Sequence, residues 1–162
     1  AGSQSRCQHE NHPYRRFRVT VTSDFHSNIE NIWDKIQDID TLREICKPKA
    51  SFIACDDSPI QWKEGKTFVF KMYLHGFLPV GRHTINVVKM DKTSREIDTK
   101  EYDNTVVIWN HYIKMEEISQ QVTRYTDTVD LYAGCLTSIT AWWTLKFYKH
   151  RQRKWQKIAK SL

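Results

Sequence analysis

The C-terminal stretch from Gly134 to Leu162 constrains the fold most, because its composition is that of one uninterrupted helix. It contains no proline, its only glycine is the first residue, and good helix formers fill the remainder. A helix of about 25 residues is roughly 37 Å long, enough to cross a small domain. Residues that favour burial recur at spacings of three and four: Leu136, Ile139, Thr140, Trp143 and Phe147. We therefore predict that this face lies on another layer of the protein.

The end of the predicted helix carries the positive charge of the whole chain. From Leu145 onward there are seven Lys or Arg residues and no acidic residue, whereas the rest of the chain has 18 basic and 19 acidic side chains. Such a run, with Tyr148 and Trp155 interleaved, is typical of a solvated terminal face, since cations are favoured at a helix C-terminus. Contact with an anionic membrane surface is a second interpretation. Nucleic-acid binding is the least favoured.

Length and composition indicate one compact domain. The chain has 162 residues, of which 40% are hydrophobic, and this suffices for a real core. No apolar run approaches about 18 residues and the start is polar, so we expect a cytoplasmic protein without a membrane span. Residues 1–15, which begin Ala-Gly-Ser-Gln-Ser, are expected to be disordered or tag-like, and residues 16–162 to form the domain.

The cysteines and histidines predict neither a disulfide framework nor a metal site. Four cysteines lie far apart without a C-x-x-C pair, which favours free thiols. Cys7, His9 and His12 offer metal-ligating atoms near the N-terminus, but structural zinc requires four ordered ligands, so adventitious binding is the simpler interpretation. We expect no metal and no cofactor.

Periodicity in the middle of the chain predicts one strand, two short helices and then consecutive strands. The first strand is Arg16–Thr22, and Ser27 or Asn28 caps a helix whose apolar stripe ends at Ile36. A second helix spans Asp40–Ile45. The later strands are Ser51–Cys55, Lys66–Leu74, Arg82–Met90, Arg95–Glu101, Thr105–Met115 and Gln121–Tyr132. Short turns between them favour antiparallel pairing, and the class is α+β.

Several segments carry a family resemblance. They are IENIWDKIQDIDTL, the W-x-E-G of Trp62–Gly65, GFLPVGRHTI, IWNHYIKME, TRYTDTVDLYAG and FYKHRQRKW. With the element order, they resemble bacterial-type members of the START-like helix-grip superfamily (SRPBCC) from Phe17 to about Ile158. That superfamily includes polyketide cyclases and aromatases, lipid-transfer domains and plant ligand carriers. The resemblance implies a curved antiparallel sheet of about seven strands wrapped around the long C-terminal helix, with a cavity between them.

Alternation on the last two strands predicts a polar cluster beneath the helix. One face carries Val107, Trp109, His111, Ile113 and Met115, and the next strand carries Thr123, Tyr125, Asp127, Val129 and Leu131. If both faces point inward, the cross-strand partner of His111 is odd-numbered, which makes it Tyr125 or Asp127. His83 joins this cluster because it shares its face with Ile85 and Val87.

Three interpretations of this cluster stay open. The polar side chains satisfy one another in the core, or they anchor a ligand in a mostly apolar cavity, or His111 and Asp127 act as catalytic acid and base. The predicted ligand-binding residues are Phe70, Met72, His83, Trp109, His111, Tyr125, Asp127, Ile139, Trp143 and Phe147.

The segment His75–Gly81 is predicted to be a loop at the cavity mouth. It contains two glycines and a proline, together with apolar Phe77, Leu78 and Val80. These three either form a flexible lip that contacts a membrane or partner, or tuck back onto the helix.

The leading functional hypothesis is a carrier or sensor that binds a small hydrophobic molecule, either a lipid or an aromatic metabolite, between sheet and helix. The alternative is a cyclase-like or aromatase-like enzyme that positions its substrate in the same cavity. An interaction module that uses the basic helix end is the third reading. The commonest nucleotide-binding, metalloprotease and serine-hydrolase motifs do not occur. The sequence predicts no oligomeric state.

Overall fold

The computed structural model describes residues 15–55 and 61–162, which form one seven-stranded sheet and three α-helices. The elements are β1 (Phe17–Phe25), α1 (Ile29–Ile36), α2 (Ile39–Cys46), β2 (Ala50–Ala54), β3 (Thr67–Leu74), β4 (Leu78–Asp91), β5 (Glu96–Tyr102), β6 (Ile108–Ser119), β7 (Val122–Tyr132) and α3 (Thr137–Ala159). A short 3₁₀ turn at Gly134–Leu136 leads into α3. The trio Cys7, His9 and His12 lies outside the described residues.

All strand pairs are antiparallel, and the order across the sheet is β1-β7-β6-β5-β4-β3-β2. Strands β2 to β7 follow one another as hairpins, and the two short helices carry the chain from β1 to the opposite edge. The sheet is curved, and the long C-terminal helix lies across it. The predicted fold class is confirmed.

Local sequence signals account for the two short helices. The side chain of Asn28 accepts a hydrogen bond from the Asn31 amide and so caps α1, as one of the two predicted alternatives. Asp38 caps α2 in the same way. Both helices turn apolar side chains inward, with Ile32 and Ile45 fully buried.

The predicted loop at His75–Gly81 is mostly a strand. Only the three residues 75–77 form a turn, and β4 begins at Leu78. Gly76 lies in the turn, and Pro79 and Gly81 are compatible with the strand because the pairing contains a bulge. Met72 pairs with Gly81 and Tyr73 with Pro79, which leaves Val80 as the extra residue. Gly81 has a φ of +88°, a conformation that glycine adopts without strain.

Helix α3 has its predicted position but a different buried face. Leu136 and Ile139, both predicted to be buried, are 49% and 63% exposed. The buried positions are Thr137, Ala141, Thr144, Phe147, Tyr148, Arg151, Gln152, Trp155 and Ala159. This stripe also has spacings of three and four, so periodicity alone could not choose between the two faces.

The basic end of α3 was predicted to be a solvent-exposed terminal face, but one side of it is buried. Tyr148 and Trp155 are 2% and 1% exposed, and Arg151 between them is also buried. This part of the helix lies on β1, where Trp155 stacks on Phe25 at 5.7 Å between ring centroids. The lysines on its opposite face remain in solvent, with Lys149 and Lys157 exposed.

No helix among residues 15–55 and 61–162 has the length and hydropathy needed to cross a membrane.

Candidate functional site

A cavity of about 290 Å³ lies between the inner face of the sheet, the two short helices and α3. Its wall is mainly apolar, and its volume is at the lower end of the roughly 300–1,000 Å³ usual for small-molecule sites. The polar side chains on the wall are Thr41, His83, Thr99, Glu101, Asp103, Thr105, His111, Tyr125, Thr140, Tyr148 and Arg151. The interior therefore combines an apolar enclosure with a few polar groups.

His83 lies at one end of a buried chain of acids and imidazoles. Its Nδ1 is 3.1 Å from Asp103 Oδ2, and its Nε2 is 2.7 Å from Glu101 Oε2. Burial alone would lower the pKa of His83, but hydrogen bonds to both carboxylates outweigh it and raise the pKa to about 9. At neutral pH His83 is thus an imidazolium that donates one hydrogen bond to Asp103 and one to Glu101.

Glu101 links the two histidines. Burial would raise the pKa of this carboxyl, but the adjacent imidazoles of His111 and His83 hold the pKa below its ordinary value. Its other oxygen, Oε1, accepts a bond of 2.7 Å from the Thr99 hydroxyl and lies 3.8 Å from His111 Nδ1. Glu101 is therefore ionised inside the core, where ionic partners and a hydroxyl surround it.

His111 is held between Glu101 and Asp127. Its Nε2 is 2.6 Å from Asp127 Oδ1 in a fully buried contact. Burial would lower the pKa of His111, but the hydrogen bond to Asp127 and then the nearby Glu101 carboxylate raise it overall. The ring also packs edge-on against Tyr148 on α3, with centroids 5.0 Å apart.

Asp127 connects this chain to the helix. Its second oxygen accepts a bond of 3.0 Å from Gln152 Nε2, which also donates to the Val21 carbonyl at 2.7 Å. The Ser23 hydroxyl donates to Gln152 Oε1 at 2.5 Å. The network thus runs from the β5–β6 turn across the sheet to α3 and β1.

Solved structures with the same architecture were found by structural comparison. A START superfamily protein from Mycobacterium smegmatis superposes with a TM-score of 0.66 at 10% identity, over 89% of this chain and 97% of that one. The structure of Ara h 8.0201 gives 0.67 at 9% identity, over 91% and 99%. Protein Ms6760 from Mycobacterium smegmatis gives 0.66 at 12% identity, over 87% and 89%. The chain has the START-like helix-grip fold.

No family model matches this helix-grip chain, and no curated protein matches it by sequence. At these identities, the likeness to solved structures establishes the fold. The chemistry of the cavity depends on its own side chains.

Most of the predicted ligand-binding residues line the helix-grip cavity. They are Met72, His83, Trp109, His111, Tyr125, Ile139, Trp143 and Phe147. Phe70 does not, because Phe52 and Trp62, which do line the cavity, pack edge-on against it at 5.9 and 6.1 Å. Asp127 does not either, because it is buried behind its two hydrogen-bond partners.

The residue predicted to lie opposite His111 was wrong, although the true one is odd-numbered as predicted. The residue directly opposite His111 is Val129, and Asp127 lies opposite Ile113. The His111 side chain reaches Asp127 along the diagonal, a distance that long side chains span on one face of an antiparallel pair. Tyr125, the other predicted partner, lies opposite Met115. Val107, predicted to share the inward face, precedes β6 and is 62% exposed.

At the cavity mouth, only one of the three predicted loop residues lines the wall. The bulge turns Val80 toward the cavity, on the side of β4 that His83 also occupies. Phe77 and Leu78 are 78% and 49% exposed and do not line it. Their contact with a membrane or partner stays a prediction.

Five functional candidates were missed from the sequence: Glu101, Asp103, Tyr148, Arg151 and Trp155. Glu101 could have been found from the alternation on β5, because it lies on the same inward face as Ile97. Tyr148, Arg151 and Trp155 could also have been found, since they follow Thr144 at helical spacings of four, three and four residues. Their charge and aromatic character suggested a surface instead.

Proposed function

We propose that this protein binds a small hydrophobic molecule in the cavity between sheet and α3, as a carrier or sensor. The observation that carries the proposal is the cavity itself, about 290 Å³ of space with mostly apolar walls inside a single small protein. A space of this size is large enough to hold a compact organic molecule. Hydrophobic-ligand binding is also typical of this fold.

The arrangement of polar groups supports binding in one orientation. Apolar wall residues supply a binding free energy of about 25 cal/mol for each Å² of apolar ligand surface removed from water. Most of the polar groups lie on β4, β5, β6 and α3, with Thr41 on α2 and Tyr125 on β7. A ligand whose polar end bonds one of these groups would be held in a defined orientation.

The geometry favours binding over proton transfer by His111 and Asp127. Asp127 does not line the cavity, and both of its carboxylate oxygens already accept hydrogen bonds. His111 has a raised pKa and lies between two carboxylates. Its two ring nitrogens face these two carboxylates, so neither nitrogen is directed at an occupant of the cavity as a general base would be.

Binding can be tested with a neutral fluorescent probe, N-phenyl-1-naphthylamine, and with a variant that fills the cavity. The wild-type protein is expected to enhance probe fluorescence saturably. Thr140→Trp, which places an indole on the α3 side of the wall, is expected to abolish it.

Ser138→Trp is the matched control, since Ser138 lies two residues away on an exposed position and does not line the cavity. Its probe binding should equal that of wild type. Equal probe binding by Thr140→Trp and Ser138→Trp, with both variants folded, would refute the proposal, as would the absence of any saturable binding.

A further inference from the structure

Arg151 is a buried cation without a bonded partner among the described residues. Its residue exposure is 7%, it lines the cavity, and neither a hydrogen bond nor a carboxylate within 4.0 Å is found for its guanidinium in residues 15–55 and 61–162. Within the described part of the chain, the guanidinium lies over two aromatic rings, 4.5 Å from the centroid of Tyr148 and 5.8 Å from that of Phe147. A charge removed from water without a hydrogen-bonded partner is costly.

The carboxylates nearby do not serve as that partner, because among the described residues none lies within 4.0 Å of the guanidinium and each is bonded to other groups. Asp127 accepts from His111 and Gln152, and Glu101 accepts from His83 and Thr99. Asp103 accepts from His83 and from two backbone amides of its own turn. The acid–imidazole network is therefore complete without Arg151.

Other polar atoms along the cavity are also unbonded, and all of them can donate. The Tyr125 hydroxyl and the indole nitrogens of Trp109 and Trp155 make no hydrogen bond to the described residues. An indole N–H donates only, and a guanidinium has no acceptor atom. These donors belong to the same wall as the bonded carboxylates Glu101 and Asp103.

We propose that Arg151 binds an anionic oxygen group of the ligand, and that the ligand class is a compact aromatic carboxylic acid. The guanidinium matches a carboxylate with two parallel hydrogen bonds. Aromatic walls from Trp109, Phe147 and Trp155 suit a planar body, and a volume of about 290 Å³ suits a compact ligand. This inference rests on the proposed function.

The test compares 2-naphthoate with its neutral analogue 2-naphthylmethanol, by isothermal titration calorimetry at pH 7. Wild type is expected to bind 2-naphthoate about tenfold to a hundredfold more tightly, the range for hydrogen bonds to a charged group. Arg151→Met is expected to lose this preference, so that the two compounds bind about equally. Arg151→Lys should retain part of the preference, because it keeps the charge but not the planar fork.

Arg153→Met is the matched control, because Arg153 is an exposed arginine on the same helix. It should show the wild-type preference. If wild type binds both compounds equally, or if Arg151→Met keeps the preference, the inference is overturned while the proposed function stands. If wild type binds neither compound nor the neutral fluorescent probe, the proposed function itself fails. If Arg151→Met does not fold, the inference is tested by the wild-type preference for 2-naphthoate and by its reduction in Arg151→Lys.

Discussion

The two halves of α3 contrast in a way that neither composition nor hydropathy indicates. In the first half, residues 137–146, large apolar side chains such as Ile139 and Trp142 are 63% and 58% exposed. In the second half, residues 147–159, polar Arg151 and Gln152 are 7% and 1% exposed. The more hydrophobic half is the more solvated one. Contact with neighbouring elements decides burial here, and the helix can be tested half by half.

The largest difference between the halves should appear when a tryptophan is removed from each. Trp155→Ala deletes a fully buried ring that stacks on Phe25 and lies beside Tyr125, so we expect a loss of about 3–5 kcal/mol in the free energy of unfolding. Trp143→Ala removes a half-buried ring that stacks on Phe147, and a loss of about 1 kcal/mol is expected. Urea unfolding measures both, and equal losses would contradict the contrast.

The second prediction concerns the charge network beneath the helix. The pKa of His83 is raised from 6.5 to about 9, so its stabilising effect is complete below about pH 6.5 and is lost as the pH rises through about 9. A shift of this size corresponds to about 3 kcal/mol at most. The free energy of unfolding should decrease over that window in wild type.

His83→Gln should show a flatter profile between pH 6.5 and 9, whatever its absolute stability. His75→Gln provides the control, since His75 is exposed in the β3–β4 turn. A wild-type stability that is constant across the window would show that His83 does not titrate as the geometry requires.

A smaller loss of stability is expected when the hydrogen bonds between the second half of α3 and β1 are removed. Gln152→Leu keeps the approximate volume but removes bonds to the Val21 carbonyl, Asp127 and Ser23, at a cost of about 1–3 kcal/mol. Gln156→Leu loses only one bond of 3.4 Å to the Asp24 carbonyl and should change stability by less than about 1 kcal/mol. Thermal unfolding of the pair gives the comparison.

The smallest effect should come from the exposed side chain of the first half. Ile139→Ser is expected to change the free energy of unfolding by less than about 0.5 kcal/mol, the usual range for a surface substitution. Because part of Ile139 lines the cavity, affinity for the neutral probe should decrease instead. A marked loss of stability would mean that Ile139 is buried in solution and that the helix is rotated toward the face predicted from hydropathy.

The sequence was most informative about the sheet. Strict alternation on β6 and β7 identified Trp109, His111 and Asp127 as inward residues, because each side chain of a strand points to one face or the other. It could not fix the register, which depends on where the hairpin turns, so His111 was paired with the wrong residue. The bulge at Val80 was hidden for a related reason, since it arises only when two strands are paired.

What the sequence determined by itself was the order of elements, their periodicity and thus the fold class, because these follow from local propensity and from burial on one face. What only the tertiary structure decided was which of two stripes on α3 is buried. A helix with apolar and basic residues around its circumference has no unique inward face until β1 and α2 contact it. That contact places Arg151 inside the cavity and makes a residue that looked like a surface charge the most specific feature of the proposed site.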